Sequence, residues 1–152
     1  MENNLEIIEE LNDILQKNYD AVHGFQTAAE KVNDIKLMGY FNEQVIARKR
    51  FIMELSNEIK LLGGEPTESG SVAGTMHRAW MNIKQGFNYN DDNREELIEE
   101  CIRGEKQCID EYNDLLEEKT MGASTRQLLN RQKAEVVSTL AELEIKEEIH
   151  DD

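Results

Sequence analysis

An all-α four-helix bundle, up-down-down-up, is the fold class this sequence predicts. Three observations predict it. Four segments of about 25 residues each repeat apolar side chains at alternating spacings of three and four, the signature of an amphipathic helix. A single proline, Pro66, leaves those segments uninterrupted. Between the second and third segments lies a stretch of about 30 residues, Gly63 to Asn93, too long to be a turn.

The first helix is predicted over about 4–32, with Ile8, Leu11, Leu15, Asn18, Val22, Phe25, Ala29 and Val32 on one stripe. Asn33-Asp34 breaks it, and Asp34 is placed to cap the next helix. The second helix is predicted over about 35–62, with Met38, Phe41, Val45, Arg48, Ile52, Leu55, Ile59 and Leu62 facing inward. Gly63-Gly64 ends it, since glycine readily takes the left-handed conformation that follows a helix, and Pro66 comes just after. Within the long connection, 71–85 reads as a short amphipathic helix with Val72, Met76, Trp80, Ile83 and Phe87 on one side.

The third long helix is predicted over 93–118, opened by Asp92-x-x-Glu95 as a capping-box variant, with Ile98, Cys101, Glu105, Cys108, Tyr112 and Leu115 on its stripe. The fourth is predicted over 124–148, capped by Ser124 with Gln127, its stripe Leu129, Gln132, Val136, Thr139 and Leu143. Short joins make the first and second helices antiparallel, and likewise the third and fourth. Each long helix spans ~38 Å at 1.5 Å per residue. The connection, part helix and part extended, is long enough to return that distance. The middle two helices then run parallel, which is the ferritin-like topology with one long crossover.

Composition bounds the function. The 152 residues form one domain, 1–152, large enough for a proper core. A net charge of −15 gives the field the wrong sign for nucleic acid. No run of ~18 apolar residues reads as a membrane span, and the N-terminal residues lack a signal-peptide apolar region, so a cytoplasmic protein is expected. Cys101 and Cys108 lie two helical turns apart, too far to pair on an intact helix, and both read as buried reduced thiols.

Each apolar stripe contains a polar residue: Asn18, Arg48, Glu105 and Gln132 form the expected core polar layer, with Arg48 meeting Glu105. At such a height a two-metal centre would need a carboxylate from each of two helices and Glu-x-x-His from each of the others. The chain has His23, His77 and His150 only, and Arg48 adds a cation where cations would bind. Asp20-x-x-His23 remains as a weak surface metal candidate, and Glu147-x-x-His150 has the spacing at the chain's end. No cofactor is expected. His77 and Trp80 mark the candidate interaction surface, with self-association into a dimer as its use. No Ser-His-Asp set, phosphate loop or paired catalytic carboxylates occur.

Several of these stretches carry a resemblance: Leu62-Gly-Gly-Glu-Pro66, Gly70-Ser-Val-Ala-Gly74, His77-Arg-Ala-Trp-Met81, Leu11-Asn-Asp-Ile-Leu15, Gly24-Phe25, Ala28-Ala-Glu30, Arg48-x-x-Phe51 and Glu100-x-x-x-Gly-Glu105. Over nearly the whole chain the sequence resembles a bacterial family of about 150 residues in the rubrerythrin and ferritin-like superfamily that carries a domain-of-unknown-function label. The resemblance implies a ferritin-like bundle in a cytoplasmic bacterial setting, and no activity. The expected role is non-enzymatic: structural, stress-related or protein-interaction. The alternative is a di-iron or di-manganese redox protein.

Overall fold

The computed structural model describes residues 2–69 and 94–151, with side chains over 4–69 and 94–145. Among the described residues every regular element is an α-helix: α1 (Glu2–Lys31), α2 (Ile35–Leu61), α3 (Arg94–Glu118) and α4 (Ala123–Asp151). They form two hairpins that lie in separate compact units, Met1–Asn90 and Asp91–Asp152. The predicted 71–85 helix, its stripe and the Asp92 cap lie outside the described residues.

In the first hairpin the turn works as the sequence predicts. Asp34 is extended (φ −79°, ψ 119°), and its carboxylate accepts from the backbone N–H groups of Lys36 (2.8 Å) and Leu37 (3.1 Å). At the far end Gly63 takes φ +91°. Its N–H donates to Lys60 O and that of Gly64 to Ile59 O. This is the full Schellman pattern, which satisfies two carbonyls the helix end would otherwise orphan.

The buried faces of α1 and α2 differ from the predicted stripes by a rotation. Leu15 and Ile59 are buried as predicted, but the continuous buried row on α1 is Ile7, Leu11, Ile14, Asn18, Ala21, Phe25, Ala28 and Val32, and on α2 Leu37, Phe41, Gln44, Arg48, Phe51, Leu55 and Glu58. Both alternate three and four, the phase of a coiled-coil seam. The predicted Met38, Val45, Ile52 and Leu62 are half-buried. Aromatic area decides the phase: turning α2 this way buries Tyr40 and Phe51. Phe25, Tyr40 and Phe41 then pack together, with Phe25 and Tyr40 edge-to-face at 5.9 Å and Tyr40 and Phe41 at 5.3 Å.

The second hairpin buries Leu97, Ile98, Cys101, Ile102, Glu105, Tyr112 and Leu115 from α3, and Thr125, Leu128, Leu129, Gln132, Val136 and Leu143 from α4. Gly122, not Ser124, accepts the first helical bond of α4, from Arg126 N–H, so α4 starts one residue early. The last turn of α3 has no basic residue of its own. Arg126 reaches back from α4 and donates to the carbonyls of Leu116 (3.2 Å) and Lys119 (3.4 Å), placing a cation at the negative end of the α3 dipole.

Candidate functional site

The core of the first hairpin contains several polar residues. Asn18 is buried on α1; its Nδ2 donates to Ile14 O at 2.9 Å, while its Oδ1 lies buried with no hydrogen-bond partner among the described residues. Arg48, on the facing row of α2, is 4% exposed. Its guanidinium carbon lies 5.8 Å from the centroid of Phe25 and 5.6 Å from that of Phe51. Two aromatic faces therefore stabilise a buried cation electrostatically, while its aliphatic stem fills the seam. Asp20, Gln44 and Glu58 are buried in the same hairpin. The sequence reading put none of these last three in the core, because a stripe drawn through apolar residues passes them by.

In the second hairpin Glu105 is 3% exposed and Gln132 is fully buried. Gln132 Oε1 accepts from the Tyr112 hydroxyl at 2.6 Å, a short bond that binds α3 to α4 deep in this core. Cys101, one turn before Glu105, is fully buried. Burial raises its thiol far above the usual range, and the negative charges of Glu105 and Glu100 raise it further. The thiolate, the reactive form, is therefore suppressed. Cys108 is half-buried, not buried as the sequence suggested, and both thiols are free.

Asp20 is buried and His23 exposed on α1. Among the described residues no group of three or more His, Cys, Asp or Glu is placed to hold a metal ion. His77 and Trp80 lie outside the described residues, and the side chain of His150 likewise. Arg48 and Glu105 belong to different hairpins, each buried in its own.

One structural device joins two stretches that lie far apart in the sequence and that no periodicity connects. Asn12 uses both ends of its amide on the segment that leaves α2: Nδ2 donates to Glu65 O (3.1 Å), and Oδ1 accepts from Thr67 N–H (2.8 Å). Next to it Gly64 packs so tightly on α1 that a Cβ would sit 2.7 Å from Ile8 Cγ2. Leu11-Asn-Asp-Ile-Leu15 and Leu62-Gly-Gly-Glu-Pro66 are thus two halves of one clamp. No pattern rule links an amide to a loop more than 50 residues on.

With this geometry in place, the chain can be set beside known proteins. It matches, over 99% of its own length and 96% of the other's, a chain from the crystal structure of ferritin-like, diiron-carboxylate proteins from Bacillus anthracis str. Ames, with a TM-score of 0.62 and 20% identity. The fold is therefore that of an all-α, ferritin-like four-helix bundle. Residues 6–118 match the family described as domain of unknown function (DUF2383), and the chain belongs to that family. No curated protein matches it.

The name of the structural neighbour invites a test of the donor set. A carboxylate-bridged pair of metals needs Glu-x-x-His on two helices and a carboxylate on each of the others. Here α2 offers Arg48-x-x-Phe51, α4 offers Gln132-x-x-Glu135, and α1 offers the amide of Asn18 at the buried position. Taken helix by helix, these buried positions carry a permanently protonated guanidinium and neutral amides, not the anionic and imidazole donors such a motif needs. These residues do not fit a di-metal centre. Among the described residues no helix is long and apolar enough to cross a membrane.

Proposed function

We propose that this chain is a non-enzymatic member of its fold: a cytoplasmic helical bundle with a structural, stress-related or protein-interaction role, whose core is built around a fixed organic cation in place of bound metal. The observation that carries the reading is the burial of Arg48 between the rings of Phe25 and Phe51. A guanidinium cannot be neutralised at any physiological pH and offers no lone pair to a metal, so this buried position supplies no ligand.

The amides buried in each hairpin serve structure. Asn18 and Gln44 in the first and Gln132 in the second neither titrate nor act as strong nucleophiles or bases. Cys101 is held as a neutral thiol. None of these groups offers the perturbed acid, base or activated nucleophile that catalysis at neutral pH demands.

The test is metal analysis together with an oxidase assay on protein purified without chelators. Less than a tenth of an equivalent of iron or manganese, with no ferrous oxidation above the uncatalysed rate, is expected. The alternative, a di-iron or di-manganese redox protein, has in its favour only the description of its structural neighbour. Two equivalents of metal per chain would establish it.

A further inference from the structure

Large apolar side chains reach water mostly on one helix. Of the seven that do so among the described residues, four belong to α2: Ile35 (83% exposed), Ile46 (69%), Met53 (64%) and, at its end, Leu61 (79%). At 100° per residue Ile35, Ile46 and Met53 fall on nearly one line, and Leu37, Gln44, Arg48 and Leu55 of the buried row lie opposite it. The line therefore faces directly away from the core of the first hairpin.

The same face is basic. Among the described helices α2 alone carries more cations than anions, in a chain of net charge −15. Lys49 and Lys60 flank the line on one side and Arg50 on the other, all exposed, with exposed Lys36 at the edge. Arg50 also lies over the Phe51 ring, its guanidinium carbon 5.5 Å from the centroid, so the lysines carry most of what the face offers a partner. Glu43 is the one exposed acid of α2; Glu54 is half-buried and Glu58 buried. Solubility accounts for lysines on a surface, but not for isoleucine and methionine between them.

We propose that this face of α2 docks on an anionic lipid surface, lying flat with Ile35, Ile46 and Met53 at the acyl boundary and the lysines among the headgroup phosphates. A bilayer fits the pattern better than a partner helix does. Read in heptads, the line places Asn42 between Ile35 and Ile46, and Lys49 between Ile46 and Met53. A packed protein partner would bury that amide and that ammonium at a cost. In a lipid interface the same order is favourable, because a lysine stem lies along the acyl chains while its ammonium reaches the headgroups. The line also holds no aromatic residue to anchor a protein contact.

The net charge does not decide the matter. Glu9 and Asp13, exposed on α1, lie opposite the buried row of that helix and so point to the other side of the hairpin. Two helices, each about 10 Å across, stand between those acids and the docking face. That exceeds the Debye length of about 8 Å at about 0.15 M salt, so the lipid surface senses chiefly the lysines of α2. The contact is peripheral and reversible, no tighter than the about 10⁴ M⁻¹ of a single acyl chain. It goes beyond the reading above, since the partner is a bilayer and not a protein.

Co-sedimentation of the full chain with vesicles tests this. At about 0.15 M salt and millimolar lipid, the chain should pellet with vesicles of equal parts phosphatidylglycerol and phosphatidylcholine, and stay in solution with phosphatidylcholine alone. Ile46→Gln with Met53→Gln should weaken binding at least tenfold without lowering the melting temperature, and Lys49→Gln with Lys60→Gln should do the same. Val137→Gln with Ile145→Gln, which takes exposed apolar side chains from α4, should leave binding within twofold of wild type. Failure to pellet with the mixed vesicles overturns the proposal, as does equal binding to both kinds of vesicle or binding that survives the α2 replacements. Wild type that ignores vesicles but self-associates in sedimentation velocity, with that association lost in Ile46→Gln with Met53→Gln, overturns it in favour of protein contact. A melting temperature lowered by the α2 replacements also overturns it, because that face would then be covered by the chain's own residues. None of these outcomes bears on metal content, which tests the non-enzymatic reading separately.

Discussion

Replacing Asn12 by alanine removes one side chain and two hydrogen bonds, the 3.1 Å bond to Glu65 O and the 2.8 Å bond from Thr67 N–H. Each is partly screened by solvent, and a typical bond contributes about 0.5–1.5 kcal/mol net, so the expected cost is about 1–3 kcal/mol. For a chain of this length 1 kcal/mol shifts the melting temperature by about 2–4 °C, so a drop of roughly 5 °C is expected. Asn12→Asp separates the two bonds. The carboxylate still accepts from Thr67 N–H, but it cannot donate to Glu65 O and instead faces a carbonyl oxygen with its charge. It should therefore destabilise at pH 7 and recover on acidification as the carboxyl gains a proton. Urea unfolding followed by circular dichroism at 222 nm measures the global cost. Amide hydrogen exchange measures the local one: Thr67 N–H should lose protection in both variants while amides in the middle of α2 keep theirs. A change below about 0.5 kcal/mol with Thr67 protection intact would show that the clamp does not hold this segment.

Glycine gives two opposed outcomes. Gly39→Ala should stabilise the monomer by about 0.5–1 kcal/mol in urea unfolding, because its Cβ enters open space, whereas Gly64→Ala should destabilise it, because Ile8 must move. Cys101 makes stability fall in alkali. Its thiol is raised in the folded state above the ordinary value of about 9, so its contribution is complete below pH 9 and lost as pH rises beyond it, by at most about 1.4 kcal/mol per pH unit. Cys101→Ala should flatten that limb of the stability curve, and a thiol reagent should label Cys108 well before Cys101 in native protein. The pairing of Arg48 with Glu105, proposed from the sequence, is open to a double-mutant cycle with Arg48→Met and Glu105→Gln. Singles that each cost about 3–5 kcal/mol and a double variant that recovers part of it are expected; strict additivity would show that the two do not interact.

The helices and their ends were legible because each rests on a local rule. Asp34 caps because its short carboxylate reaches two N–H groups, and Gly63 ends α2 because φ near +90° excludes a Cβ. The phase of the buried seam was not legible. Ile8 and Ile7, or Val45 and Gln44, differ by one residue, and the choice turns on how much aromatic area the partner helix buries. The polar core was half legible. Asn18, Arg48, Glu105 and Gln132 stood out as polar interruptions of apolar stripes, and all four are buried. Gln44, Glu58 and Asp20 did not, because they flank the drawn stripes. Tyr112, taken as an apolar stripe residue, proves to be the donor that Gln132 needs. The Asn12 clamp depends on tertiary proximity, which no periodicity encodes.

The decisive property is what the core of this bundle does with metal. Protein purified without chelators, loaded anaerobically with ferrous iron or manganese, desalted and analysed by plasma mass spectrometry, gives the answer in one number. Substoichiometric metal that is unchanged by Glu105→Gln and by Arg48→Met is the result expected of a core built on a fixed guanidinium. Two equivalents per chain, lost when Glu105 is replaced, would contradict it.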